Sequence, residues 1–428
     1  MTPQANFMVL APICPERKSD LRAMLATMTG APGMAEPGNE LFPFARFTRL
    51  HVARFVILDD MTLADLAPDD PLRGAPTYLA FLGDCDGSAD MQLAEFAMVA
   101  GVGLRRIFSC CANYSSDVDL LQWMRANSTE PAAQYVNWVG RTVGQIREEQ
   151  ELHCALREFL RTEIASLADL PPSNVRDRMV DFHANNGPAL TPPEPTPADW
   201  WFGNVANLIL FPLVLLMLSP FILIFSPLFI WQLRRLEKTD PVIAPRPGAA
   251  QVAALARIED HDVTNQFSAF GCVKLGLFRL LTLRFVFEVL NFSTRHIYTR
   301  GRLARVGTIH FARWVFTDNR RRLFFASNYD ASLDSYMDDF INKVAYGLNL
   351  VFSNGIGYPR TSFLVSGGAG REMEFKYYLR RHEVPTQVWY KAYPGLTTAD
   401  LARNTQIREG LEKSHMTDAQ ARAWLALI

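Results

Sequence analysis

Residues 50–55, LHVARF, and residues 309–314, IHFARW, carry one pattern: an aliphatic residue, His, an apolar residue, Ala, Arg, an aromatic. Further along, DGSADMQLAEF at Asp86–Phe96 matches DASLDSYMDDF at Asp330–Phe340. From there the two stretches align without a gap to Tyr114 and Tyr358, with GLRRIFSC on GLNLVFSN. Cys14 and Cys272 also occupy equivalent places. Matches at several separated points in one order mark an internal repeat, and a repeat constrains the fold before any single element does.

Periodicity supplies the elements of each copy. In the first, NFMVLAPI, RLHVARFVIL, PTYLAFLGDC and AQYVNWVG read as strands, with helices at ERKSDLRAMLATM and Ser88–Gly101. In the second, the strands are NQFSAFGCV, TIHFARWVF, RLFFASNY and TQVWYKAY, with helices at Leu275–Arg300 and Leu333–Asn349. The order βαββαβ is that of a ferredoxin-like unit. The sequence therefore predicts an α+β fold of two ferredoxin-like halves, residues 1–165 and 266–428, each ending on its own last strand. Residues 166–265 are an insertion, and its Pro-rich stretches PALTPPEPTPADWW and TDPVIAPRPGAAQ read as extended spacers.

Between the spacers, Trp200–Leu233 runs 34 positions without a charge. About 20 apolar residues suffice to cross a bilayer. Trp200, Trp201 and Phe202 open the run, Phe229 and Trp231 close it, and Arg234, Arg235 and Lys238 follow. Aromatic ends with a basic flank mark a membrane segment, here about 201–233. Pro212, Pro220 and Pro227 each remove a backbone donor, so a kinked span or a re-entrant hairpin is expected. A single span would separate halves that are expected to pair, which favours a re-entrant or monotopic anchor. The start of the chain lacks a basic stretch before an apolar one, so the halves are expected on the cytoplasmic side of the membrane. Leu275–Arg305, rich in Phe and Leu with six Arg against Glu288, reads either as an interfacial helix drawn to anionic lipid or as a core helix with Arg on its wet face.

The net charge of −1 hides −10 over residues 1–199 and +9 over residues 200–428. Near neutrality gives no argument for a nucleic-acid partner. The six cysteines form no CxxC pair, and no P-loop, dinucleotide fingerprint, HExxH or GxSxG occurs. No metal site is expected. Glu259-Asp260-His261-Asp262 reads as a solvated acidic turn.

The candidate chemistry lies in the repeat. Alternation on a strand puts His51, Ala53 and Phe55 on one face and Arg54 on the other, and likewise His310, Ala312 and Trp314 against Arg313. Asp86 and Asp330 follow the next strand. A His/Arg/Asp set can bind haem and activate peroxide, or hold an anion. The competing reading makes the aspartates helix caps with Ser88 and Ser332, and the histidines satisfied core groups.

Two ferredoxin-like halves in one chain resemble the dimeric α+β barrel group, and Gly83-Asp84-Cys85-Asp86-Gly87 resembles the GxxDG pattern of the dye-decolourising peroxidases in it. That resemblance implies haem as cofactor and Asp86 as the distal acid, with His310, His296 and His382 as axial candidates, while no motif places the family's distal Arg. The repeated His/Arg/Asp set adds Arg54, Asp330 and Arg313 as catalytic candidates and His51 as a cofactor-binding one. The second copy departs from the pattern at Ser327 and Ala331. Two functions follow as expectations: a membrane-anchored haem peroxidase acting on a lipophilic substrate, or a non-catalytic membrane-associated protein that binds lipid and a small molecule or acts as a scaffold.

Overall fold

The computed structural model describes all residues, 1–428. Eight strands carry the fold: β1 (Gln4–Pro12), β2 (Leu50–Leu58), β3 (Tyr78–Asp86), β4 (Ala133–Val136), β5 (Thr264–Cys272), β6 (Ile309–Thr317), β7 (Arg322–Asp330) and β8 (Thr386–Lys391). They form two antiparallel sheets, ordered β1-β3-β2-β8 and β4-β6-β7-β5.

The last strands are exchanged. β4, expected in the first sheet, pairs with β6, and β8 pairs with β2. Each approach runs first along its own half. Leu10 N donates to Asn127 O and Thr129 N to Met8 O, both at 2.9 Å. Val384 N donates to Ser268 O at 2.8 Å. Then comes a proline, Pro131 or Pro385, which has no N–H to continue the ladder. Beyond it the chain crosses, with Ala132 N on Trp314 O at 2.7 Å. The eight strands are thus joined through two hydrogen-bonded seams.

Period-2 alternation sorts the side chains. Phe7, Val9, Ala53, Phe55 and Phe81 face outward beneath α1 (Lys18–Ala26), α2 (Ala89–Val99) and α3 (Gly101–Phe108). Met8, Val56 and Leu82 face the other way and meet Phe270, Val315 and Phe324 between the sheets. Further helices are α4 (Val143–Thr162), α5 (Pro172–Asn186), α6 (Ala198–Thr239), α7 (Leu277–His296), α8 (Leu333–Phe352), α9 (Glu372–His382), α10 (Thr398–Glu412) and α11 (Asp418–Leu425), beside three shorter ones at Leu120–Ala126, Ile164–Leu167 and Ala249–Ala256. α7, α8 and α9 cover the second sheet. α4, α5, α10 and α11 enclose a separate core around Leu156, Met179, Ile407 and Trp424. The insertion is therefore more than spacers, since α5 belongs to that core.

The apolar run also differs from expectation. It is neither broken nor folded back: Pro212, Pro220 and Pro227 all lie inside the continuous helix α6, roughly 63 Å long at 1.5 Å per residue. Proline at position i leaves the carbonyl of i−4 without its donor. Before two of the prolines a serine repairs this, with Ser219 Oγ donating to Leu216 O at 2.7 Å and Ser226 Oγ to Leu223 O at 2.8 Å. An 18-residue window of α6 has mean hydropathy 2.8 and is 0% buried, so this helix is long and apolar enough to cross a membrane.

Candidate functional site

His51 and Asp86 meet at the ends of β2 and β3. His51 Nε2 lies 2.8 Å from Asp86 Oδ1, and Nδ1 lies 3.1 Å from the hydroxyl of Tyr393. An Nε2–H donating to the carboxylate leaves Nδ1 to accept from tyrosine, so both ring nitrogens are engaged. Asp86 Oδ2 accepts from Val143 N at 2.9 Å, the first residue of α4. The second half repeats the arrangement. His310 Nε2 lies 2.7 Å from Asp330 Oδ1, and Asp330 Oδ2 accepts from Thr398 N at 2.7 Å, the first residue of α10. An orphan helix-terminal N–H facing a carboxylate is a stable arrangement. The aspartates do act at helix starts, but at α4 and α10 rather than at the adjacent α2 and α8. The α8 cap is Ser332, whose hydroxyl accepts from Ser335 N at 3.3 Å.

Burial governs the electrostatics of the second pair. It pushes the His310 imidazole below its usual range. Burial alone would raise the Asp330 carboxyl, but the charge and hydrogen bond of His310 and the Thr398 hydrogen bonds outweigh it and hold it at about 2. Lys391, absent from the expected set, joins this cluster: Nζ donates to Thr264 Oγ1 and Leu396 O, both at 2.5 Å, and burial brings its ammonium down to about 8.

Arg54 and Arg313 are not part of these clusters. They point between the sheets, where each reaches across to the opposite one. Arg54 donates to Phe267 O and Ser327 O, both at 2.9 Å, and to Asn328 Oδ1. Arg313 donates to Phe7 O and Gly83 O, both at 2.8 Å, and pairs with Asp84 at 2.6 Å. Asn328 and Asp84 hold equivalent places, so the two guanidiniums form a reciprocal clasp. Burial and the neighbouring Arg313 charge lower Arg54 to about 9, and burial raises the Asp84 carboxyl despite its ion pair.

The GxxDG glycines have packing reasons. A Cβ on Gly83 would sit 2.2 Å from Val52 O and 2.6 Å from the Phe7 ring. Gly87 turns at φ +81°, and its counterpart Ala331 adopts φ +70°. At His51 both ring nitrogens are engaged, whereas at His310 only the Nε2 is held, by Asp330. The gap beside Arg54 and Arg313 measures about 10 Å³. His382 Nδ1 is held by Tyr378 O and His296 Nε2 by Asn207, each at 2.8 Å. The acidic turn is a correction too: Glu259 is buried and pairs with Arg380, while Asp260 accepts from Leu333 N.

Three larger cavities lie elsewhere. One of about 580 Å³ at the first seam is polar, and its Asp90 and Arg125 pair with each other. A second, about 440 Å³, is lined by Glu130, Arg284, Glu288 and Arg320. A third, about 300 Å³, lies against α7 and α8, and 21 of its 23 lining residues are hydrophobic. None of the lining residues is a histidine. Comparison with protein-family models, with curated proteins and with solved structures finds no match.

Proposed function

We propose that this chain is a membrane-anchored, non-catalytic binding or scaffold protein, built by duplication of a ferredoxin-like half into one barrel that rests on one face of the membrane. The observation that carries the reading is the way α6 is held. Near its start, Asn204 accepts from Arg295 at 2.7 Å, and Asn207 contacts His296 at 2.8 Å. Phe211 stacks on Phe292 at 4.7 Å, and Phe229 packs on Phe278 at 5.0 Å. Near its end, Glu237 accepts from Thr361 Oγ1 and Leu364 N at 2.9 Å, while Asp240 holds Lys274 at 2.9 Å and also Arg279. Both ends of the apolar helix thus return to one body, running antiparallel to α7. The half-buried positions Asn204, Asn207, Phe211, Leu215, Ser219 and Ser226 recur at helical spacing and face the body, while the apolar residues between them other than Val205 are exposed.

A helix held at both ends along a folded body lies in a membrane face rather than crossing it. The basic flank Arg234, Arg235 and Lys238 supports a cytoplasmic placement. A haem peroxidase is the weaker reading, because none of the cavities described above is lined by a histidine.

Labelling of reconstituted vesicles tests the topology. Cys154 in the first half is exposed, and a second site is added in the other half by Arg371→Cys. With a membrane-impermeant maleimide, each molecule is expected to carry both labels or neither. A population carrying one label would contradict the reading.

A further inference from the structure

We propose that the cavity between α7 and α8 takes one acyl chain of an anionic lipid. The ligand's membrane source rests on the topology proposed above. The fit to a chain rests on the cavity itself.

Its wall is apolar, and its volume of about 300 Å³ stands at the small end for ligand pockets, which suits one chain rather than a branched or fused-ring ligand. Among its polar wall groups, Ser293 Oγ donates to Val289 O at 2.7 Å and the Tyr336 hydroxyl lies 2.8 Å from Ser327 Oγ, while Trp314 Nε1 is buried without a partner. The rest of the wall offers a ligand apolar contact area.

The mouth continues into the membrane face. On α7, Leu277, Leu281, Phe285 and Val289 recur every fourth residue and are 70%, 52%, 51% and 37% exposed. That spacing makes one stripe, and the helix carrying it packs against α6. Phe285 and Val289 belong both to this stripe and to the cavity wall, so a chain leaving the bilayer beside α6 enters without crossing polar surface.

Charge at the rim supplies the head. Leu303 and Ala304 line the cavity in a turn closed between Leu303 and Val306. Arg302 and Arg305 flank them, both exposed and neither paired with a carboxylate. Two unpaired guanidiniums beside an apolar opening complement a carboxylate or phosphate, and guanidinium is the side chain best shaped for either.

Photo-crosslinking separates this proposal from the topology. The full chain is reconstituted in phosphatidylcholine vesicles containing diazirine-labelled palmitic acid or, in a second arm, diazirine-labelled phosphatidylglycerol. Labelled peptides are then mapped. Adducts on the cavity wall, around Val289, Phe340 or Gly347, are expected in at least one arm, and the arm identifies whether a free acid or a phospholipid is held. Gly347→Trp fills the cavity, since a Cβ there meets nothing within 4 Å, and should abolish those adducts while leaving adducts on α6. Arg302→Gln with Arg305→Gln should lower cavity labelling by palmitic acid roughly tenfold and leave labelling by diazirine-labelled hexadecanol unchanged. Adducts on α6 without any in the cavity would overturn the acyl-chain site and leave the anchor standing. Cavity adducts with none on α6 would do the reverse.

Discussion

At the scale of single residues, the corresponding positions of the two sheets act as paired structural devices, and their differences are informative. The turn after β3 uses Gly87 at φ +81°, while the turn after β7 uses Ala331 at φ +70°. A Cβ in the left-handed region is penalised, so Ala331→Gly is expected to stabilise the protein by about 1 kcal/mol, read as a rise in urea midpoint at unchanged slope. Gly83→Ala should act in the opposite sense, because its Cβ has no space beside Val52 and Phe7. Asp330 gives a pH signature. Its carboxyl is held at about 2 in the folded chain and titrates near the ordinary value when unfolded. The unfolded state therefore binds the proton first as pH falls. The stabilisation, about 2 kcal/mol, is present above pH 4 and lost between about pH 4 and pH 2. Asp330→Asn should flatten the acid limb of a stability profile in that window, and an unchanged limb would contradict the assignment.

At the scale of elements, the Arg clasp and the strand crossing tie the sheets together. Removing Arg313 leaves Asp84 buried and unpaired, so Arg313→Leu is expected to cost about 3–5 kcal/mol. Asp84→Asn in the same chain should recover much of that loss, because the equivalent Asn328 already serves Arg54 uncharged; a double-mutant cycle by denaturant unfolding measures it. The alternation of LHVARF predicted Arg54 on the face opposite His51, but the pairing slips between Leu50 and Val52, so His51 sits in a bulge and its ring lies 5.3 Å from Phe311 of the other sheet. Alternation carried no information on what lies across either face, since pairing is tertiary. The exchange of β4 and β8 did leave a local trace. Glu130-Pro131 and Val384-Pro385 precede both crossing strands, and a proline there ends one ladder before the next begins. Lys391 and Tyr393 were missed because a lysine and a tyrosine on a strand resemble solvent-facing residues until the opposite half covers them.

At the scale of the whole molecule, the halves are interdependent. Residues 1–165 and 266–428 each lack the strand that completes their sheet, so neither fragment should fold alone, whereas co-expressed fragments should copurify. Separate fragments with native-like near-ultraviolet dichroism would contradict this. That the apolar run is long enough to cross a membrane was legible from its length and composition alone. Its course was not, because three prolines predicted a break, whereas two serine hydroxyls restore freed carbonyls within the helix. The central claim is that α6 lies along one membrane face beneath a single body. Spin labels placed singly at Leu210, Met217, Leu223 and Phe229 in vesicles, with depth read from relative oxygen and nickel accessibility, test it most directly. The expected profile stays within one leaflet, with Leu210 and Phe229 at similar shallow depths and the centre no deeper than the midplane. A depth that passes steadily from one surface to the other along the helix would contradict it.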